Sequence, residues 1–176
     1  MQKNWYLIYI KQNTEKKIVA LLKKNQIESF CPVNCRQIKR SDTTKLTYEP
    51  LFNSYLFANL KESDFSIVER IKNVLGIVHW VHKPAKIRSE EIEAIRKFTH
   101  LYRDIALEKS PVNAGGIVNT VDGPTYSINR NIVSGKRNSI KLSLPSLGFR
   151  LIAQSETENV LSEGLNIFTN QFSEQL

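Results

Sequence analysis

The sequence predicts an α+β fold, an antiparallel sheet flanked by helices and followed by a small all-β barrel. Three observations carry that prediction. From Trp5 to Tyr102 the apolar periodicity runs strand–helix–strand–strand–helix–strand–helix, the order of an antiparallel sheet with helices packed on it. Periodicity then lapses over 103–112, a span ending in Ser110-Pro111 and the next apolar residue. Beyond it, short alternating strands separated by turn signals continue for about fifty residues, the size of a small barrel. The expected division is therefore 1–102 for the first domain, 103–112 for a linker, 113–160 for the barrel and 161–176 for a weakly periodic tail.

Each element has a local cause. Trp5-Tyr-Leu-Ile-Tyr-Ile10 is aromatic and β-branched and reads as a strand. Asn13-Thr14 offers a helix cap and Glu15 suits the first turn. Ile18, Leu21 and Leu22 then recur at helical spacing, with Lys16, Lys17, Lys23 and Lys24 largely off that stripe. Ile27 to Val33 reads as a short strand that Pro32 pushes towards an edge. Residues 36–45 read as a polar hairpin tip with four basic residues and one acidic one, and Leu46 to Pro50 begins the return. Tyr55 to Leu60 is a strand. Ser63 is the expected cap of a second helix with the stripe Phe65, Val68 and Ile71. Ile77 to Val81 reads as a strand. Ser89, Glu90 and Glu91 open a third helix carrying Ile92, Ile95, Phe98 and Tyr102 on one face. In the barrel segment the turn signals are Gly115-Gly116, Gly123-Pro124 and Ser134-Gly135-Lys136.

Charge is distributed unevenly. The chain carries a formal +8, and residues 1–101 hold 18 basic and 10 acidic residues, which is the whole excess. Residues 113–152 are mildly basic and residues 153–176 acidic. Such a balance suits a polyanion partner. No apolar run approaches the ~20 residues of a membrane span. The stretch Trp5–Ile10 is shorter than a signal-peptide core, so a cytoplasmic protein is expected.

The sequence offers little for catalysis or metal binding. Cys31 and Cys35 are separated by three residues, Pro32 among them, which is not a zinc-knuckle spacing, and His79 and His82 read as pointing to opposite faces of a strand. There is no phosphate-binding glycine loop and no nucleophile with a base. No enzyme, cofactor or metal is expected. Tyr55 and Phe57 fall on one face of their strand, so an exposed aromatic patch there would mark a protein interface.

Several motifs in order and spacing then carry a resemblance. They are Trp5-Tyr6 opening a strand before a helix, Glu49-Pro-Leu-Phe-Asn-Ser-Tyr-Leu-Phe57, Val74-Leu-Gly-Ile-Val-His-Trp80 and the helix start Ser89-Glu-Glu-Ile92. In the second segment Gly116-Ile-Val-Asn-Thr-Val-Asp-Gly-Pro124 looks like the first half of a KOW motif. Together they resemble the NusG family of transcription elongation factors over about 1–160. The runs Trp5–Lys11 and Glu49–Phe57, with Ser143-Leu-Pro-Ser-Leu-Gly148, resemble the specialised paralogues of the RfaH and UpxY type, which serve long operons for surface polysaccharides such as capsule.

The resemblance implies an NGN domain followed by a KOW, SH3-like barrel. It implies a non-enzymatic, monomeric antitermination factor that docks on the clamp helices of the largest RNA polymerase subunit and suppresses pausing. By that likeness Trp5, Tyr6, Phe52, Tyr55 and Arg70 would contact polymerase. Lys11, Lys16, Lys17, Arg36, Lys39 and Arg40 would face non-template or upstream DNA, and the KOW segment would meet the ribosome or a termination factor. The DNA-reading threonine–arginine pair of the RfaH paralogue would fall at Val74-Leu75, so recognition of that paralogue's DNA element does not carry over. The alternatives are the housekeeping NusG role, coupling polymerase to termination factor or ribosome, and a ribosome- or RNA-associated KOW binding module.

Overall fold

The computed structural model describes residues 2–40, 43–110, 124–129 and 138–155. Its centre is β1 (Asn4–Ile10), which pairs antiparallel with β5 (Tyr55–Leu60) along one edge. The other edge of β1 is shared by β6 (Val74–Ile77) and β9 (Lys86–Ile87), and β2 (Glu28–Phe30) extends the sheet beyond β5. The sheet order is thus β2-β5-β1-β6, with β9 beside β6 on β1.

Side-chain alternation divides this sheet into two faces. Tyr6, Ile8 and Ile10 with Leu56, Ala58 and Leu60 are buried under α1 (Glu15–Lys24) and α2 (Phe65–Glu69), against Ile18, Leu22 and Val68. Trp5 and Phe57 point the other way, into a second core with Ile92, Ile95 and Phe98 of α3 (Ser89–Leu101). The central strand is covered on both sides, which is why Trp5 to Ile10 is apolar throughout rather than alternating.

The helices follow their sequence signals with two adjustments. In α1 the exposed Lys23 and Lys24 fall in the last turn and Glu15 in the first, each favourable to the helix dipole. The Asn25 side-chain amide donates to Leu21 O at 2.9 Å and closes the helix. The second helix is shorter than its stripe suggests. A 3₁₀ turn over Glu62–Asp64 precedes it, and the Asp64 carboxylate, not Ser63, accepts from the Lys61 N–H at 3.1 Å. The strand expected over Ile77–Val81 is broken: β6 ends at Ile77, and β7 (His79–Trp80) pairs with β8 (Lys83–Pro84) in a separate hairpin. Val81 and His82 form its two-residue turn with φ of 48° and 63°, so His82 is not a strand residue.

Between β2 and β5 lies a long arm. β3 (Val33–Arg40) and β4 (Thr43–Pro50) pair over eight rungs, from Val33↔Pro50 to Arg40↔Thr43. The polar tip expected over 36–45 is therefore mostly strand. The span expected as a linker is also partly structured. Asn34, buried at the arm's base, makes a two-way bridge to Ile105: its side-chain amide donates to Ile105 O at 2.9 Å, and its oxygen accepts from the Ile105 N–H at 3.0 Å. The Asp104 N–H donates to Cys35 O at 2.9 Å. β10 (Ala106–Lys109) then enters a second sheet with β11 (Thr125–Asn129), β12 (Asn138–Leu144) and β13 (Phe149–Ser155), in the antiparallel order β10-β13-β12-β11. Periodicity missed β10 because Ala106-Leu-Glu-Lys109 has one half-buried apolar residue and three exposed ones. The half-motif over 116–122, Gly123, the turn Ser134-Gly135-Lys136 and the tail 161–176 lie outside the described residues.

Candidate protein-docking face and basic surfaces

The face of the main sheet turned away from α1 and α2 is aromatic. Trp5, Leu7 and Tyr9 of β1 lie beside Tyr55 and Phe57 of β5, with Phe30 from β2 and Phe52 from the turn before β5. Ring contacts tie them together: Tyr9–Tyr55 centroids are 5.2 Å apart, Phe30–Phe57 6.1 Å, and Phe52 meets Phe57 edge-on at 5.6 Å. The Arg96 guanidinium from α3 lies 4.4 Å from the Phe30 ring centre.

The sequence-predicted residues divide over this geometry. Trp5, Phe52 and Tyr55 lie on the aromatic face, but Trp5 is buried in the core under α3, with the Arg96 guanidinium 5.8 Å from its ring centre, and is not presented for docking. Tyr6 does not: it is fully buried on the opposite face, edge-on to Phe65 at 5.0 Å, with its hydroxyl donating to Glu62 at 3.3 Å. Burial raises its phenol pKa above the ordinary value. Arg70 is exposed at the C-terminus of α2, also on the side away from Phe52. Leu7, Tyr9 and Trp80 escaped the sequence reading. Leu7 and Tyr9 were legible as the i+2 and i+4 partners of Trp5, whereas nothing local placed Trp80 there.

Much of the face is covered by the second sheet. Phe52 is 6% exposed, and its ring meets Phe149 of β13 at 6.3 Å. Leu144, Leu147 and Leu151 join the same core. A polar contact crosses the seam: the Glu91 carboxylate of α3, fully buried, accepts from the Ser146 N–H at 2.8 Å, while its other oxygen has no hydrogen-bond partner among the described residues. Gly148, at φ 66°, closes the turn that presents Ser146 and Leu147. The fit is incomplete. A cavity of about 590 Å³ lies between Leu7, Tyr55 and Trp80 on one side and Leu107, Leu147 and Phe149 on the other. Tyr9 and Trp80, each 43% exposed, mark the uncovered margin.

The basic candidates form two groups. Lys11, at the end of β1, and Lys16 and Lys17, in the first turns of α1, are all exposed. The Lys11 N–H donates to Asn73 O at 2.9 Å, which brings the exposed Lys72, absent from the sequence reading, beside this group. The second group is on the arm. Lys39 is exposed near its tip, and Arg36 pairs with Glu49 of the facing strand. Arg40 is placed by its backbone at the last rung.

Cys31 and Cys35 are both free thiols. Burial, reinforced by the Glu15 carboxylate, pushes Cys31 up to about 11. Among the described residues, no helix is long and apolar enough to cross a membrane.

Comparisons with known proteins agree with this architecture. A solved structure of NusG from Thermotoga maritima, described for its domain interaction, superposes with a TM-score of 0.50 at 16% identity, covering 88% of this chain and 94% of that one. At that identity the likeness speaks for fold alone. A comparison with curated protein sequences gave no significant match. The family profile described as transcription termination factor nusG matches residues 3–96, more than half of the chain, so the protein belongs to the NusG family of transcription factors.

Proposed function

We propose that the protein is an elongation and antitermination factor that acts by binding RNA polymerase and catalyses no reaction. The observation that carries this is the division of the main sheet. One face is an aromatic surface, from Tyr9 across Tyr55 to Trp80. The far side presents exposed cations at Lys11, Lys16, Lys17 and Arg70. Aromatic anchors suit a groove between polymerase clamp helices. Cations on the other side suit nucleic acid or the opposite wall of the cleft. A protein gripping both walls favours the closed enzyme by differential affinity alone.

The covering sheet adds a condition. Phe52 and the cavity wall are occupied by the chain's own β13 and the turn before it, so docking requires the second sheet to move aside. The Thermotoga maritima protein, described for its domain interaction, offers a parallel. In the proposed reading the second sheet completes a KOW-type barrel, free after release to meet a ribosome or termination factor. The specialised role, on a long operon such as one for surface polysaccharide, follows from the motif resemblance. The family profile's own description favours a second reading, a general partner of termination factor.

The test is co-purification with core RNA polymerase. Tyr9→Asp with Trp80→Asp alters exposed side chains and is expected to abolish binding while leaving the melting temperature within a few degrees of the parent. Undiminished binding would remove the aromatic face from the proposal. In vitro transcription of a long template separates the two readings: a specialist lengthens transcripts in the presence of termination factor, and a general partner shortens them.

A further inference from the structure

The side of the β3–β4 arm turned away from the docking cavity is apolar. Val33↔Pro50, Cys35↔Tyr48 and Gln37↔Leu46 are successive rungs on one face of the ribbon, so Val33, Pro50, Cys35, Tyr48 and Leu46 form a continuous strip about 13 Å long. Val33, Leu46 and Tyr48 are exposed, Tyr48 to 69%. Arg36, which lines the docking cavity, belongs to the other face. At the arm's base the strip continues into an open groove of about 550 Å³. Phe30, Cys31 and Val33 form one wall of it, and Arg96, Lys97 and His100 of α3 form the other. The Arg96 guanidinium is held there over Phe30, 3.5 Å from Glu28 and 3.3 Å from Glu93. A continuous apolar strip that ends in a groove marks an interaction surface.

We propose that the chain's own C-terminal segment, 156–176, covers this surface, with Leu161, Leu165, Phe168 and Phe172 laid along the strip and into the groove. Three observations select this occupant. The first is pattern. These four residues recur at the 4-3-4 spacing of one helix face, and as a helix they extend over about 17 Å, enough for the strip and the mouth of the groove. The second is position. β13 ends at Ser155, three residues beyond Ile152, and Ile152 pairs with Ala106. Ala106 follows Ile105, whose backbone is bridged to Asn34 beside Val33. The chain thus leaves the second sheet near the arm's base, and residues 156–160 can span about 17 Å before the first leucine of the stripe. The third is charge. Residues 156–176 hold four acidic residues and no basic one. The arm holds four basic and two acidic residues, and 96–103 hold three basic and no acidic one. A second copy of the same surface would instead bring two basic arms together.

The experiment uses the full chain with the photocrosslinker p-benzoylphenylalanine in place of Phe168. Irradiation should join position 168 to the arm strip or to Arg96–His100 of the same chain, read as a monomer band on a gel and located by mass spectrometry. Val33→Asp with Tyr48→Asp alters exposed side chains only, so the protein should melt with the parent while the crosslink yield falls several-fold. A second measurement needs no foreign residue. Cys35 lies within the strip, between Val33 and Gln37 on its strand and opposite Tyr48. Leu165→Asp with Phe168→Asp should raise the alkylation rate of Cys35 by about tenfold, the protection of a cover closed by about 1.4 kcal/mol. The proposal is overturned if position 168 crosslinks to Tyr9 or Trp80, to a second chain, or to nothing. It is also overturned if the Val33 and Tyr48 substitutions leave the yield unchanged, or if Cys35 in the tail variant reacts at the parent's rate.

Discussion

Leu147→Ala tests whether the second sheet masks the docking face. Leu147 sits in the turn between β12 and β13, 6% exposed, facing Tyr55 and Phe52 across the seam. Core leucine truncations cost about 2–5 kcal/mol, and the spread depends on the cavity left behind. Here one side of Leu147 already faces a cavity of about 590 Å³, so the low end applies, about 2 kcal/mol. Because the residue lies in a turn outside the four-stranded ladder, the loss falls mainly on the seam. That shifts the open–closed ratio by roughly 30-fold. If only the open form binds polymerase, apparent affinity rises by the same factor until the open form predominates. Two measurements check this. Trypsin cleavage after Arg103 and Lys109, flanking residues bonded to the arm and to β13, reports opening. Equilibrium binding to core polymerase reports masking. Faster cleavage with unchanged polymerase affinity would refute the masking argument, and unchanged cleavage would refute the energetic one.

Three further outcomes follow from local geometry. Glu91→Ala removes the acceptor of the Ser146 N–H and should lower urea stability by about 2 kcal/mol, whereas Glu91→Gln keeps an acceptor and should cost less than half of that. Val81→Asn with His82→Gly relieves two non-glycine residues of positive φ in the β7–β8 turn and should raise stability by about 1–2 kcal/mol in the same titration. Cys31, with its thiol pushed up to about 11 by burial, is ionised to roughly one part in a thousand at pH 8. Its alkylation by iodoacetamide, followed by mass spectrometry, should be slow there and rise about tenfold per pH unit until near 11.

The sequence was most informative where burial has one cause. The α1 stripe, the α3 face and the β5 strand are set by local periodicity, and they match within a residue or two. Position in β1 was harder. Trp5 and Tyr6 read as one dipeptide, but alternation sends them to opposite faces, and a strand buried on both sides gives no polar residue to mark which is which. The arm was under-read because its strands are polar. Its ladder depends on cross-strand pairing, which a single strand's composition does not encode. Phe52 and Tyr55 were found through motif likeness, but the burial of Phe52 under Phe149 joins residues nearly a hundred positions apart and has no local signal. Trp80 reached the same cavity through a turn built by Val81 and His82, residues that ordinarily argue against positive φ.

The two covers of the main sheet differ in a way that bears on the proposal. On one face Tyr6, Ile8, Ile10, Ile18, Leu22 and Leu56 are all fully buried, and the helices that cover them are joined to the sheet by short connections. On the other face α3 packs just as tightly, through Ile92, Ile95 and Phe98, and the second sheet adds Leu142, Leu144 and Leu151, also fully buried, to the same core. The seam of that sheet is also partly open, at a cavity of about 590 Å³, and holds a buried Glu91 carboxylate oxygen without a hydrogen-bond partner among the described residues. An unpaired buried oxygen forgoes solvation, and a partly open margin leaves the aromatic face in reach of a partner. The first weakens the seam, and the second gives a partner somewhere to start. An exposed aromatic surface invites aggregation, so some cover is needed while polymerase is absent. A permanent cover would forbid docking. A seam with an unpaired carboxylate and an open margin meets both demands, because a partner that binds the same aromatics with higher affinity can displace it.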